Sequence, residues 1–144
     1  MKRKGFGKIG RITFFIMMMV LSSQVMANYK FYNMVKHVCK VYQIDVSLSD
    51  MTIHEEYDGK LYFDLKLDAG RNNFDTVLMV GFIGIGKALE KNPELELEGV
   101  NVTLGISSYE NTLIIASASA NDIVRFVRGD ISSNEFKNKY ITII

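Results

Sequence analysis

Hydrophobic positions change their spacing several times along the chain, and each change marks an element. Over residues 28–42, Phe31, Val35, Val38 and Tyr42 recur at helical spacing, with Lys30, Asn33, His37 and Lys40 on the opposite side. That is the pattern of an amphipathic helix. The period then falls to two: Ile44, Val46 and Leu48 alternate with Asp45, Ser47 and Ser49, which predicts a strand reaching His54. Asp58-Gly59 is a hairpin signal, because tight two-residue turns favour residues that accept positive φ. Leu61, Phe63, Leu65 and Leu67 alternate with Tyr62, Asp64 and Lys66 as the return strand.

The next segment is apolar on every side. Asn72 or Asn73 is placed to cap a helix starting near Phe74, Asp75 suits its positive end, and Asn92-Pro93 stops it. Residues 77–86 hold no charge, so the helix of residues 74–91 must be covered on more than one face or meet a partner. Two strands follow. Leu95 and Leu97 alternate with Glu94, Glu96 and Glu98; the phase flips at Glu98-Gly99 and resumes as Val100, Val102, Leu104 and Ile106, as a bulge produces. After a turn over residues 107–111, Leu113-Ile114-Ile115 and the small residues 116–120 predict a central strand. Asn121-Asp122 opens a short helix closed by Gly129, Ser132 or Ser133 caps a last helix over residues 135–140, and residues 141–144 are an apolar tail. The order is α-ββ-α-ββ-α(α). Hairpins separated by helices predict an α+β fold in two layers, a largely antiparallel sheet of about four strands packed with helices on one face.

Ahead of this domain stand five cations, Lys2, Arg3, Lys4, Lys8 and Arg11, and no acid. An apolar run of about ten residues follows from Ile12, then Ser22-Ser23-Gln24 and Val25-Met26-Ala27. These are the three parts of a secretory signal, with Val25 and Ala27 three and one positions before a cut at Ala27-Asn28. The alternative, an uncleaved membrane anchor, needs roughly 20 apolar residues to span a bilayer. The expectation is a leader, residues 1–27, and one exported domain, residues 28–144: periplasmic in a Gram-negative bacterium, secreted otherwise.

Composition matters once the leader is set aside. The whole chain carries a net +1, but residues 28–144 hold 12 basic and 16 acidic side chains, a net −4. Nothing in that balance suggests nucleic acid. One Cys and two His exclude a disulfide framework and a Cys/His structural zinc site. Cys39 is expected as a buried free thiol, with pairing to another molecule as the alternative.

Three groups of residues invite a functional reading. Gly81, Gly84 and Gly86 fall inside a helix instead of at a strand-to-helix junction, which argues against a phosphate loop. Gly81, Gly84 and Ala88 instead form a side-chain-poor flank, and with Phe82 and Ile85 they make a candidate groove for a partner or apolar ligand. Tight packing on the chain's own sheet is the competing explanation. Glu94, Glu96 and Glu98 form an acidic ridge, either steering a basic partner or simply the wet side of a sheet. His54, Glu55, Glu56 and Asp58 gather an imidazole and three carboxylates near a hairpin tip, where a solvated turn is the default. Asn101-Val102-Thr103 is a glycosylation sequon, relevant only in a eukaryotic source.

The chain contains no Gly-x-Ser-x-Gly, His-Glu-x-x-His or Cys-x-x-Cys. The expectation is therefore a non-catalytic domain without cofactor or metal that binds another exported or envelope protein. An inhibitor, an immunity-type protein and an accessory subunit of an envelope or secretion machine all fit, membrane contact is confined to the leader during export, and homo-oligomerisation is left open. Two alternatives stand beside it. One is a carrier for an apolar small molecule held between helix and sheet by Val77, Met79, Phe82, Ile83 and Gly84. The other is a small hydrolase using His54 with Glu55 or Glu56.

Overall fold

The computed structural model describes residues 9–107 and 112–144. Lys2, Arg3, Lys4 and Lys8 of the expected leader, and residues 108–111 of the turn expected over residues 107–111, lie outside them. In chain order the elements are α1 (Ile9–Val41), a 3₁₀ turn (Leu48–Asp50), β1 (Met51–Glu55), β2 (Leu61–Gly70), α2 (Phe74–Lys91), β3 (Leu97–Ser107) and β4 (Thr112–Ser119). Then come α3 (Ala120–Arg128), α4 (Ser133–Glu135) running into a π-helical turn (Phe136–Tyr140), and β5 (Thr142–Ile143). The fold is α+β, with one five-stranded sheet in the order β1-β2-β3-β4-β5. Every pairing is antiparallel except β2 with β3, which run parallel because α2 carries the chain back between them.

Strand alternation places Phe63, Leu65 and Leu67 of β2, Val100, Val102 and Leu104 of β3, and Ala116 and Ala118 of β4 in the core beneath the helices. α2 is the centre of the helical layer, between α1 and α3. Phe31 of α1 meets Phe63 edge-on at 4.9 Å, while Phe136 stacks on Phe126 at 4.4 Å and meets Phe82 at 5.5 Å. The all-round apolarity of α2 is thus answered by a sheet below and a helix on each flank.

Several expected boundaries move, each for a local reason. α1 begins at Ile9 instead of near Asn28, so one helix runs across the expected cut at Ala27-Asn28; residues 12–27 hold no Gly or Pro to break it. Phe31 is its first buried side chain among those described, whereas Ile16, Met26 and Tyr29 are exposed. The strand expected from Ile44 gives way to the 3₁₀ turn. There Asp50 accepts hydrogen bonds from the Ser47 backbone N–H at 2.8 Å and the Ser47 hydroxyl at 2.7 Å, a local closure that competes with strand pairing. The Ser47 backbone bond is also the main reason the Asp50 carboxyl titrates below its usual range.

The β1–β2 hairpin is closed by a longer loop than Asp-Gly suggests. Glu56 and Lys60 pair, the Gly59 N–H donates to the Glu56 carbonyl at 2.9 Å, and in this loop only Gly59 takes a positive φ, 76°. That is a type I turn with a left-handed glycine. β3 starts at Leu97 instead of Leu95, because the Leu95 N–H is used in a turn back to Asn92. Its bulge falls where the phase flips: Leu61 faces Leu97 but Tyr62 faces Gly99, leaving Glu98 as the extra residue. β4 is not central. Leu113 and Ile115 have the parity opposite to the buried Ala116 and Ala118 and lie on the face the helices leave uncovered, so they are exposed where burial was expected.

Candidate functional site

The helices cover one face of the sheet, and the strand residues of the other parity point away from them. Register aligns these into rows. One row is Thr52, Asp64, Asn101, Ser117 and Thr142, crossing all five strands. Beside it run His54, Tyr62, Gly99 and Ser119, and on its other side Lys66, Thr103 and Ile115.

The first row is joined by hydrogen bonds. The Ser117 hydroxyl donates to Asn101 Oδ1 at 2.7 Å, and Asn101 Nδ2 donates to Asp64 Oδ1 at 2.8 Å. The other carboxylate oxygen of Asp64 lies 3.1 Å from His54 Nδ1. His54 stacks on Tyr62, with ring centroids 6.1 Å apart, and its Nε2 is 3.8 Å from Glu56. An imidazole–carboxylate–amide–hydroxyl ladder therefore crosses four strands. It orients His54, yet Ser117 stands at the opposite end of the ladder with an amide as its acceptor. Ser117 and His54 do not form a nucleophile–base pair in this arrangement.

At the Tyr62 end the bare face deepens into a recess of about 430 Å³, walled by Tyr62 and Glu98 on one side and Tyr140 and Asp122 on the other. Its floor is low because Gly99, Ser117 and Ser119 are small. A Cβ at Gly99 would come within 3.1 Å of the Tyr62 ring, so the absence of a side chain lets the ring lie over the strand. Asp122 sits at the start of α3, accepting from the Ser119 hydroxyl at 2.7 Å and from Arg125 at 3.1 Å. The Arg125 guanidinium lies 5.8 Å from the Tyr140 ring centre. Across the recess, Glu98 pairs with Lys60 at 2.8 Å.

The residues singled out from sequence are dispersed. Gly81, Phe82, Gly84, Ile85 and Ala88 are all buried inside the domain. The Gly81 position faces Leu67 and Val102 of the sheet, Gly84 faces Val35 and Cys39 of α1, and Gly86 faces Val127 and Ile123 of α3. They do not line one open groove, because neighbours of the same chain occupy all three directions. Of the proposed carrier lining, Val77, Phe82 and Gly84 are buried, and Met79 and Ile83 are packed against the core. The acidic ridge divides: Glu94 and Glu96 are exposed ahead of β3, and Glu98 belongs to the recess. His54 neither pairs with Glu55 nor fans out alone; Asp64 holds it.

Sequence reasoning missed Asp64, Asn101, Ser117, Tyr62 and Asp122. Each occupies an outward position of a recognisable strand or a helix start, so its exposure was legible, but the cross-strand register that joins them was not. Cys39 is buried, and burial pushes its thiol up to about 11. Among the described residues no group of three or more His, Cys, Asp or Glu side chains is placed to hold a metal ion, and no helix is long and apolar enough to cross a membrane. The chain matches no family model, no curated protein and no solved structure.

Proposed function

We propose that this chain is an exported, non-catalytic domain that binds another exported or envelope protein through the bare face of its sheet. The observation that carries the reading is that face itself. It spans the width of the sheet without helical cover, its side chains are pre-ordered by the Ser117–Asn101–Asp64–His54 ladder, and it mixes polar groups with Tyr62, Ile115 and Leu113. A pre-ordered surface with exposed aromatic and aliphatic groups is suited to protein contact, since little side-chain freedom is left to lose on association. The export half of the reading rests on the leader pattern of residues 1–27 and the acidic balance of the remainder.

The test is quantitative capture from the envelope fraction of the native host, comparing the tagged protein with a Thr103→Arg variant. Thr103 lies in the middle of the face and away from the recess, so arginine there obstructs docking while leaving the core untouched. A partner held in stoichiometric amount by the unmodified protein and lost by Thr103→Arg, at an unchanged unfolding midpoint, is the expected result. Equal retention by both proteins would assign binding to another surface.

A further inference from the structure

Resting on the protein-binding reading above, we propose that the recess beside Tyr62 receives arginine side chains from a basic segment of the partner. Shape, aromatic content and charge lead to the same ligand. The recess, at about 430 Å³, is large enough for a guanidinium with its alkyl stem, and tyrosines stand on opposite walls. A guanidinium is flat, weakly hydrated and cationic. It stacks on aromatic rings and forks onto carboxylates, which a lysine ammonium does less well.

The chain already makes this contact within itself. Arg125 lies against Tyr140 while donating to Asp122, so one wall of the recess is known to accommodate an arginine from its helical side. Each Asp122 oxygen accepts a hydrogen bond, Oδ1 from Arg125 and Oδ2 from Ser119, and since a carboxylate offers about four lone-pair directions, acceptor capacity remains. The opposite wall offers Tyr62 with Glu98.

The electrostatic balance favours a cation. Glu98 and Asp122 line the recess, and Glu56 and Asp58 stand close enough that, after burial, their charges help push the Tyr62 hydroxyl up from its usual titration. Three cations oppose them, and Arg125 is the one already paired with Asp122 at 3.1 Å. Lys60 is tied to Glu98, and Lys139, which also lines the recess, is tied to Glu135 at 3.2 Å. The two lysine pairs are solvent-exposed and therefore worth little, so a better-placed guanidinium displaces them at small cost. Glu94 and Glu96, leading into β3, extend the negative approach and would steer a basic segment towards the recess.

Titration of a penta-arginine peptide into the ¹⁵N-labelled full chain tests the assignment, with penta-glutamate as control. Penta-arginine should shift the amides of Tyr62, Gly99, Ser117 and Ser119, and penta-glutamate should not. Raising ionic strength from about 0.05 to about 0.5 M should weaken the response, as screening of exposed charges requires. Glu98→Gln, which disturbs only an exposed pair, should weaken binding several-fold, and combination with Asp122→Asn should weaken it about tenfold or more. No response to penta-arginine, a response confined to another surface, or full affinity in Glu98→Gln would overturn the proposal. If the peptide fails while Thr103→Arg still abolishes partner capture, the arginine assignment falls and the bare-face reading stands; if both fail, the face is not the binding surface.

Discussion

Gly84 and Gly86 lie two positions apart on α2 and meet opposite demands. At Gly84 an added methyl would stand 3.5 Å from Cys39 Sγ and the Val35 carbonyl, ordinary contact distance, whereas at Gly86 it would stand 2.5 Å and 2.9 Å from the two methyls of Val127. Val127 is β-branched and cannot swing aside cheaply. Gly84→Ala should therefore be neutral or gain up to about 1 kcal/mol from helix propensity. Gly86→Ala should lose about 1–3 kcal/mol to overpacking, and urea unfolding of the two variants separates them. Gly84→Leu should fail to fold, since its flank is filled by α1. The third α2 glycine, Gly81, serves close approach of the sheet, so a repeated residue type that reads as one stripe is three separate accommodations. Cys39 is a further residue-scale case. Its thiol keeps its proton in the fold to about pH 11, while the unfolded chain loses it near pH 9. Its contribution to stability is therefore complete below pH 9 and lost as pH rises from 9 to 11. A Cys39→Ala variant should lack that part of the decline when unfolding is compared across the interval. The same burial should keep Cys39 unlabelled by thiol reagents at pH 8 until the protein unfolds.

At the scale of elements, the two edges of the sheet are treated differently. The edge strand β1 carries an outward N–H at Ile53 that donates to the Tyr32 hydroxyl of α1 at 3.0 Å, so a helix side chain closes part of a row that could otherwise template another strand. Tyr32→Phe should cost about 1 kcal/mol for that hydrogen bond and increase concentration-dependent association, measured by unfolding midpoint and sedimentation. The opposite edge is met by β5 at Ala116 and Ser117, and by the Ile144 N–H, which donates to the Ile115 carbonyl at 2.9 Å. Element identity was well marked in sequence where the pattern was sustained. α2 is observed over Phe74–Lys91, the 74–91 expected, and Ser119 caps α3 by accepting from the Asp122 N–H while Gly129 closes it at φ 87°. It was misread where polar side chains bond locally: Ser47 and Asp50 turn an alternating stretch into a 3₁₀ turn, a competition that hydrophobic periodicity does not register.

For the molecule as a whole, burial bears on where an export leader, if cut as proposed, would separate from the packed chain. The continuous helix α1 has its first buried described side chain at Phe31, four residues beyond the proposed cut, and this ring packs on Phe63 of the central strands. A chain starting at Asn28 should unfold cooperatively with the same midpoint as the uncleaved chain. One starting at Tyr32 should lose about 3–5 kcal/mol, the cost of deleting a buried phenyl, in chemical denaturation. Mass spectrometry of the protein recovered from its host should find Asn28 at the amino terminus; recovery of Lys2 or Met1 would return the leader to the status of a membrane anchor.

The residues alone determined what is local. Periods of 3.6 and 2, a Gly-tolerant bulge at Glu98-Gly99 and an apolar α2 follow from each segment's need to bury one side or all sides, and together they specify an α+β fold with one helical layer. What only the tertiary structure decided is non-local. Strand order, the parallel β2–β3 contact and the register across four strands place His54 on Asp64, and Tyr62 across a recess from Tyr140. Periodicity says which side of a strand faces out, but not which outward residue of the next strand stands opposite. That choice is made by the whole core at once, because slipping one strand by a residue would turn its entire apolar set into water.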